Sequence, residues 1–183
     1  MAAGDLDNDG LPELYFTGNM VPDKLYHNTG NITFDDITEE SGVWDSDGWT
    51  TGVTFADVNA DGLLDIYVCK AGEGSNPRAR RNKLYINKGN LKFVEQAFQL
   101  GVADESRSNQ ATFFDYDQDG DLDLYVANHP QGFHLLIDER RRLEKSLLPE
   151  DSDHLYRQEA DGHFTDVTAE AGVRNWSFGL GLI

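Results

Sequence analysis

The sequence is poor in cysteine and in basic residues. Cys69 is the single cysteine, so an internal disulfide framework is excluded and the redox compartment stays open. Only 15 Lys and Arg face 33 Asp and Glu among 183 residues, which gives a formal net charge of −18. Such a charge disfavours nucleic acid or an anionic membrane surface as partner, because both would be repelled. No apolar run reaches the roughly 18 residues of a membrane span, and no signal-peptide pattern follows Met1.

Apolar and aromatic residues make up 39% and 11% of the chain, too much for a disordered acidic tail. Two sequence units each occur three times. The first unit is an acidic stretch followed by an apolar-Tyr-apolar triplet, and it spans residues 5–16, 57–68 and 115–126. The second unit starts with Leu-Tyr, has Phe nine positions after the Leu, and a Gly-Val pair that starts 17 positions after it. It begins at Leu25, Leu84 and Leu155.

The spacing of the units predicts a stack of similar sheets. Between the first unit's tyrosine and the second unit's leucine lie steps of 10, 17 and 30 residues, whereas the step to the next acidic unit is 32 or 31. A constant repeat body with variable connections is typical of stacked or radial repeats. Each repeat offers four short strands, which is the composition of one propeller blade. A helix is expected only at residues 139–147, capped by Asp138.

The sequence therefore predicts an all-β fold: a β-propeller fragment of about three four-stranded antiparallel blades, with an acidic loop between the first and second strand of each blade. The repeats span approximately residues 1–49, 50–107 and 108–174 of a single partial propeller domain. The first strand of a further blade is expected at 175–183. Since closed propellers have 4–8 blades, we expect this segment to belong to a larger propeller whose first blade lacks its inner strand.

The acidic loops are the candidate metal sites. Eleven acids and one amide occupy positions 1, 3, 5 and 9 of three nine-residue loops, where bare carboxylates would repel one another. A hard cation with 6–8 oxygen ligands removes that repulsion, and Ca²⁺ fits better than Mg²⁺. Glycine at position 6 permits a tight turn, and position 7 would contribute its backbone carbonyl. The predicted ligands are Asp5, Asp7, Asp9, Leu11 and Glu13; Asp57, Asn59, Asp61, Leu63 and Asp65; and Asp115, Asp117, Asp119, Asp121 and Asp123.

Two other interpretations of these loops fit the sequence less well. An EF-hand needs a glutamate at position 12 and flanking helices, but position 12 holds Phe16, Val68 or Val126. Asp-rich turns that only interact with solvent would explain a single acidic loop better than three loops at matching positions of the repeat.

The five histidines show no metal-ligand spacing and are expected to be scattered surface or loop residues. No catalytic residue and no organic cofactor site is predicted.

The motif D-x-D-x-D-G-x-x-D with apolar-Tyr-apolar, followed by L-Y-x-N and F…G-V, resembles the FG-GAP/VCBS-type repeats of integrin-like β-propellers. The segment Asp166–Val173 resembles the ASPIC/UnbV, cartilage-acidic-protein-like group. This resemblance implies a secreted, periplasmic or surface-exposed propeller with one structural Ca²⁺ per blade, about three in all. Asn59 and Glu13 depart from its aspartates, and Gln158 stands where Asn28 and Asn87 stand in the other repeats.

Two functions remain open. The first is a non-catalytic, calcium-binding recognition or adhesion scaffold whose protein or carbohydrate ligand is unknown. The alternative is a propeller segment of a secreted carbohydrate-active enzyme, a polysaccharide lyase or glycosidase. Partner binding is expected on the loops that vary in length, residues 17–23, 69–83 and 127–153, because loops carry recognition while the repeat body carries stability.

Overall fold

The computed structural model describes residues 1–46, 48–72, 77–130 and 152–176. Those residues form three four-stranded antiparallel sheets, each with its strands in sequence order. The all-β, propeller-like fold with three blades is therefore confirmed. The helix expected at 139–147 and most of the strand expected at 175–183 lie outside the described residues.

The blades are simple meanders. Blade 1 contains β1 (Ala2–Gly4), β2 (Glu13–Phe16), β3 (Lys24–Gly30) and β4 (Thr33–Asp36). Blade 2 contains β5 (Trp49–Ala56), β6 (Asp65–Ala71), β7 (Lys83–Asn87) and β8 (Phe93–Glu95). Blade 3 contains β9 (Ser108–Phe114), β10 (Asp123–Asn128), β11 (His154–Gln158) and β12 (Phe164–Asp166). The expectation that blade 1 lacks its inner strand is wrong, because β1 pairs with β2 from Ala2↔Tyr15 to Gly4↔Glu13.

Short helices occur where none was expected. After the fourth strands of blades 1 and 2 the chain forms α1 (Thr38–Ser41) and α2 (Ala97–Leu100), and a 3₁₀ turn covers Pro77–Arg80. Both α-helices end at the glycine of the Gly-Val pair, Gly42 or Gly101, with φ of 87° or 86°. A Cβ at Gly42 would lie 2.8 Å from the Phe93 carbonyl oxygen of the next blade. These glycines therefore meet both a left-handed backbone and a close approach between blades.

Each blade has two different apolar faces. On blade 2, Ile66, Val68, Tyr85 and Phe93 lie in a buried cluster with side chains of blade 1. Tyr67, Cys69, Leu84 and Ile86 project to the other face of blade 2, because side chains alternate along a strand, and they lie in a cluster with Leu124, Val126, Tyr156 and Phe164 of blade 3. The two clusters together make the core of the described molecule.

In the described part of the chain, the face of blade 1 that points away from blade 2 is open. Leu14, Phe16, Tyr26 and Phe34 occupy on blade 1 the positions of Ile66, Val68, Tyr85 and Phe93 on blade 2. They line a groove on the surface. Phe16 is 41% exposed, against 1% for Val68, and Ile32 is 92% exposed, against 9% for Leu91 at the matching turn. We call these four residues the open face of blade 1.

Within the described part of the chain, no helix has the length and apolar character needed to cross a membrane.

Candidate metal centres in the acidic loops

The three acidic loops occupy matching places in the fold. Each connects the first to the second strand of a blade, at residues 5–12, 57–64 and 115–122. The amide nitrogen of Asn8 donates to the Gly62 carbonyl at 2.9 Å, so the first loop contacts the second. A polar groove separates the second loop from the third. The loops therefore lie side by side at one end of the blades.

The first acid of each loop organises the turn. Asp5 accepts from the Asp9 and Gly10 backbone N–H groups at 3.1 and 2.9 Å. Asp57 accepts from Asp61 and Gly62 at 3.0 and 2.8 Å. Asp115 accepts from Gln118 and Gly120 at 2.6 and 3.2 Å. The carboxylate at position 1 therefore satisfies backbone donors that a tight turn would leave without partners.

Glycine at position 6 is required by the backbone. Gly10, Gly62 and Gly120 have φ of 87°, 87° and 97°. A Cβ at any of them would meet no atom within 4 Å, so conformation and not space selects glycine there. Position 4 is also left-handed, with φ from 55° to 65°, but holds Asn8, Ala60 or Gln118. The predicted tight turn is present in all three loops.

The acid at position 9 ties three pieces of chain together. The Glu13 carboxylate accepts from the Leu6 N–H at 2.8 Å and from the Asn28 N–H at 3.3 Å. Its counterpart Asp65 accepts from Val58 and Asn87 at 3.0 and 2.7 Å. Asp123 does the same with Tyr116 and Gln158, both at 2.9 Å. The three acids are fully buried. Each joins its loop to the third strand of its blade, a structural role that the sequence analysis missed.

Burial perturbs two of these acids. The pKa of Asp65 is raised to about 6, mainly by its removal from water and also by the nearby Asp61 and Asp57 charges, against the lowering effect of its two backbone hydrogen bonds. Burial also raises the pKa of Asp123, with a further raising effect from Asp117 and Asp119. Desolvation and like charges both disfavour an ionised carboxylate. A bound cation would relieve both.

The carboxylates converge in two of the loops. Ligand atoms of Asp5, Asp7 and Asp9 all lie within 4.8 Å of one another, and so do those of Asp115, Asp117 and Asp123. In the second loop the Asn59 amide nitrogen donates to Asp61 at 3.0 Å, and the Asn59 amide oxygen accepts from the Asp61 N–H at 3.1 Å. The donor set of oxygens suits a hard divalent cation.

Residues at position 7 were predicted to offer backbone carbonyls. The N–H groups of Leu11, Leu63 and Asp121 donate to the acid at position 5 of the same loop, at 2.7, 2.9 and 3.0 Å. This bond closes the turn and fixes the peptide before position 7. Coordination by the Leu11, Leu63 and Asp121 carbonyls stays a prediction.

His27 is not a scattered surface residue, contrary to the sequence analysis. It lies on β3, and its Nδ1 is 3.1 Å from the Glu13 carboxylate and 4.0 Å from that of Asp7. Ligand atoms of the three residues lie within 4.8 Å of one another. Spacing could not reveal this group, because strand pairing brings together residues that are 14 positions apart.

The Asn or Gln of the L-Y-x-N motif links neighbouring loops, and its role was also missed. The Asn87 amide nitrogen donates to the Leu64 carbonyl of its own blade at 3.0 Å and to the Leu6 carbonyl of blade 1 at 2.8 Å. Gln158 reaches the Val58 carbonyl of blade 2 at 3.1 Å. In blade 1, Asn28 donates to the Pro12 carbonyl at 3.2 Å. The replacement of Asn by Gln in blade 3 therefore keeps the link between blades.

A second set of polar residues lies at the opposite end of the blades, just before the third strand. Asp23 accepts from the Tyr15 hydroxyl at 3.1 Å, the Gly18 N–H at 2.7 Å and the Thr50 hydroxyl of blade 2 at 3.0 Å. Asp153 accepts from Tyr125 and Asn128 at 3.0 and 2.7 Å. This position explains the tyrosine of the repeated triplet, whose hydroxyl needs a buried partner.

In blade 2 an asparagine takes the place of the aspartate, and the tyrosine hydroxyl accepts a hydrogen bond from it instead of donating one. Asn82 accepts from the Lys70 N–H at 2.7 Å and donates to the Tyr67 and Ser108 hydroxyls at 3.1 and 2.8 Å. Tyr67 then donates to the Val102 carbonyl at 2.9 Å. Burial raises the pKa of Asp23, while its three donors lower it. We call Asp23, Asn82 and Asp153 the junction residues.

Charged pairs close the contacts between blades near the junction residues. Asp45 and Lys70 form a buried ion pair at 2.5 Å. Asp104 lies between blades 2 and 3, where His154, Asn128 and Tyr156 all contact its Oδ2 at 2.7 to 3.2 Å. Burial alone would raise the pKa of Asp104, but the hydrogen bond and charge of His154 bring it below its usual value.

A cavity of about 200 Å³ opens at the same end, between β5–β6 and β9–β10. Trp49, Ala71, Arg107 and His129 contribute to its walls. His129 belongs to a loop in which partner binding is expected, whereas Ala71, within the expected loop 69–83, is the last residue of β6. The third predicted loop, residues 17–23, lies beside blade 2, where the Thr50 N–H donates to the Gly18 carbonyl at 3.0 Å.

Repeated blades with an acidic turn between their first two strands define the class of protein. The chain belongs to the FG-GAP-like repeat family, whose profile matches residues 5–68 and 72–126. It is 30% identical over 129 residues to cartilage acidic protein 1 of Xenopus tropicalis and 27% identical over 131 residues to that of Mus musculus. Each match covers 70% of this chain and 19% of the relative, so the chain spans about a fifth of the length of these relatives. The resemblance predicted from the motifs is thus confirmed.

Proposed function

We propose that this chain is a calcium-binding, non-catalytic repeat module that serves as an extracellular or cell-surface recognition scaffold. The observation that carries the proposal is the backbone geometry that the three acidic loops share. In each, backbone N–H groups hold the acid at position 1, glycine at position 6 makes the turn, and a buried acid at position 9 joins the loop to the third strand.

Ca²⁺ would act on stability and not on chemistry. Positions 1, 3, 5 and 9 and the carbonyl at position 7 would supply its oxygen ligands, and its charge would offset the clustered carboxylates. Because the position 9 acid also joins two strands, a cation held there would couple the loop to the sheet. An extracellular affinity of roughly 10⁻⁴ to 10⁻³ M would suffice for such a role.

Thermal unfolding tests the proposal. We expect the melting temperature to rise as Ca²⁺ is added after chelation, since a ligand bound only by the folded state stabilises it by about 2.7 kcal/mol per site at 100 times its dissociation constant. Mg²⁺ at equal concentration is the control and should stabilise less. Isothermal titration should find about three Ca²⁺ per chain. An unchanged midpoint with Ca²⁺ and no titratable heat would overturn the proposal.

The recognition role is supported by the cavity between blades 2 and 3. Its position at the variable loops, away from the acidic loops, separates partner binding from the metal sites. Location outside the cell is supported by family membership and by the likeness to cartilage acidic protein 1. A Trp49→Ala variant should weaken partner capture without changing the Ca²⁺ titration. Hydrolysis or lyase activity on a polysaccharide that is lost in this variant would instead favour the enzymatic alternative.

A further inference from the structure

We propose that the acidic loop of blade 1 and His27 form a mixed nitrogen and oxygen site that takes a transition metal ion of the Zn²⁺ class. The loops of blades 2 and 3 lack this site. The inference rests on the proposed function only in treating this loop as a metal site: the loop takes Ca²⁺ when no other divalent cation is added, and Zn²⁺ displaces Ca²⁺ there.

Three side chains supply the ligand atoms. His27 Nδ1 lies 3.1 Å from a Glu13 carboxylate oxygen and 4.0 Å from Asp7 Oδ2. Zn²⁺ binds imidazole nitrogen and carboxylate oxygen at about 2.0–2.2 Å, so two ligands on one ion stand roughly 3–4 Å apart. Both observed distances lie at that separation without any rearrangement of the strands.

The sheet places these atoms firmly. Glu13 begins β2 and is fully buried, while the imidazole of His27 on β3 is 27% exposed. The Glu13 carboxylate is held by the Leu6 and Asn28 N–H groups. The site thus has one rigid ligand, one ligand on a paired strand and an open side from which an ion could enter. A rigid set of few ligands suits the four-coordinate Zn²⁺ better than Ca²⁺, which takes 6–8 oxygen ligands.

The other two blades provide the contrast. At the position of His27 they have Ile86, which is buried in the core between blades, and Arg157, which pairs with Glu159 at 2.8 Å. At the position of Glu13 they have the shorter Asp65 and Asp123. Blade 1 therefore differs at two neighbouring positions. His27 adds a ligand, and the longer side chain of Glu13 extends a second ligand toward it. Imidazole suits Zn²⁺, Cu²⁺ and Ni²⁺, whereas Ca²⁺ takes oxygen.

Titration of the whole chain with ZnCl₂ and with CaCl₂ tests the inference. We expect one Zn²⁺ per chain with an affinity that His27→Gln lowers by at least about tenfold, since even partners that only support a ligand affect affinity by 10–100-fold. The Ca²⁺ titration of the second and third loops should not change. Co²⁺ is a spectroscopic probe, and its visible absorption should report a nitrogen ligand in the parent chain but not in His27→Gln.

His163→Gln is the matched control. His163 Nδ1 lies 3.3 Å from an Asp161 carboxylate oxygen, but both side chains are more than half exposed, and among the described residues no third ligand joins them. This variant should bind Zn²⁺ as the parent does. Equal Zn²⁺ affinity in the parent and in a folded His27→Gln would overturn the inference, as would the absence of Zn²⁺ heat. Failure of the Ca²⁺ titration alone would overturn the proposed function and leave the Zn²⁺ result standing.

Discussion

The two ends of the blades use acidic residues in opposite ways. At the loop end, most of the carboxylates at positions 3 and 5 are exposed and lie beside one another. At the other end, Asp23 and Asp153 are buried singly, each among hydroxyl and N–H donors. The junction residues are thus satisfied by the protein itself, whereas the loops gather like charges that a cation would offset. Stability at the loop end should therefore respond to the metal as well as to the proton, and stability at the junction end to the proton alone.

The largest effect is expected for a loop acid that is buried and hydrogen-bonded to the protein, as the junction residues are. Asp123→Ala removes the acceptor of two backbone N–H groups, from Tyr116 and Gln158. The buried Gln158 N–H left without a partner costs about 1–3 kcal/mol and the part-buried Tyr116 N–H less, so we expect a loss of about 2–4 kcal/mol in the free energy of unfolding, even with chelator. Urea denaturation with and without Ca²⁺ measures this loss.

Asp117→Ala is the matched control in the same loop. Its carboxylate is exposed, and its removal reduces the repulsion on Asp123. With chelator it should leave the free energy of unfolding unchanged or slightly higher, and it should weaken the Ca²⁺ response. Equal losses from both variants in chelator would show that position 9 has no separate structural role.

An intermediate effect is expected from the link between loops. Asn87→Ala removes the bond to the Leu6 carbonyl of blade 1 together with the bond within blade 2. Asn28→Ala removes the bond within blade 1, to the Pro12 carbonyl. Because Leu6 is fully buried, Asn87→Ala should cost about 1–3 kcal/mol more than Asn28→Ala. Chemical denaturation of the two variants gives the difference directly, and a difference of zero would mean that the link adds nothing to stability.

The smallest effect is expected at the junction residues, and it depends on pH. Burial raises the pKa of Asp23, so the folded state holds that proton more tightly than the unfolded state does. The contribution of Asp23 to stability is therefore greatest in acid and falls as the pH rises above about 4 through the raised value. Asp23→Asn removes this dependence, so its stability relative to the parent should improve between pH 4 and 7.

The reciprocal change, Asn82→Asp, should introduce the same dependence in blade 2, where the parent has an amide. Unfolding free energies of both variants and the parent, measured across that range with chelator present, test the sign. If the unfolding free energy of the parent instead rises relative to that of Asp23→Asn as the pH increases, the pKa of Asp23 is not raised in the folded state.

The repeated features of the fold could be predicted from the sequence because they are local. The step from acidic turn to apolar-Tyr-apolar triplet predicts a loop followed by a strand, and three copies predict three blades. Gly10, Gly62 and Gly120 could be assigned to a tight turn because a positive φ favours glycine. The helices α1 and α2 could not, since four residues are too few for helical periodicity.

Contacts between distant residues escaped prediction for a different reason. Asn87 meets Leu6 across 81 residues, and nothing in the L-Y-x-N motif shows which carbonyl its amide reaches. Tyr15 and Asp23 lie eight positions apart on either side of a variable connection, so their pairing depends on strand register. His27 and Glu13 face each other for the same reason. Spacing within a motif reveals loops and strands, but register between strands decides which side chains meet.

The open face of blade 1 gives the array a direction. Leu14, Phe16, Tyr26 and Phe34 match residues that blade 2 presents to blade 1, whereas blade 1 presents a different set, including Tyr15 and Leu25, to blade 2. A blade is therefore complementary to its neighbour and not to itself. A further blade of the same repeat would cover the open face by docking head to tail, through a heterologous contact that either closes into a ring or continues as a filament.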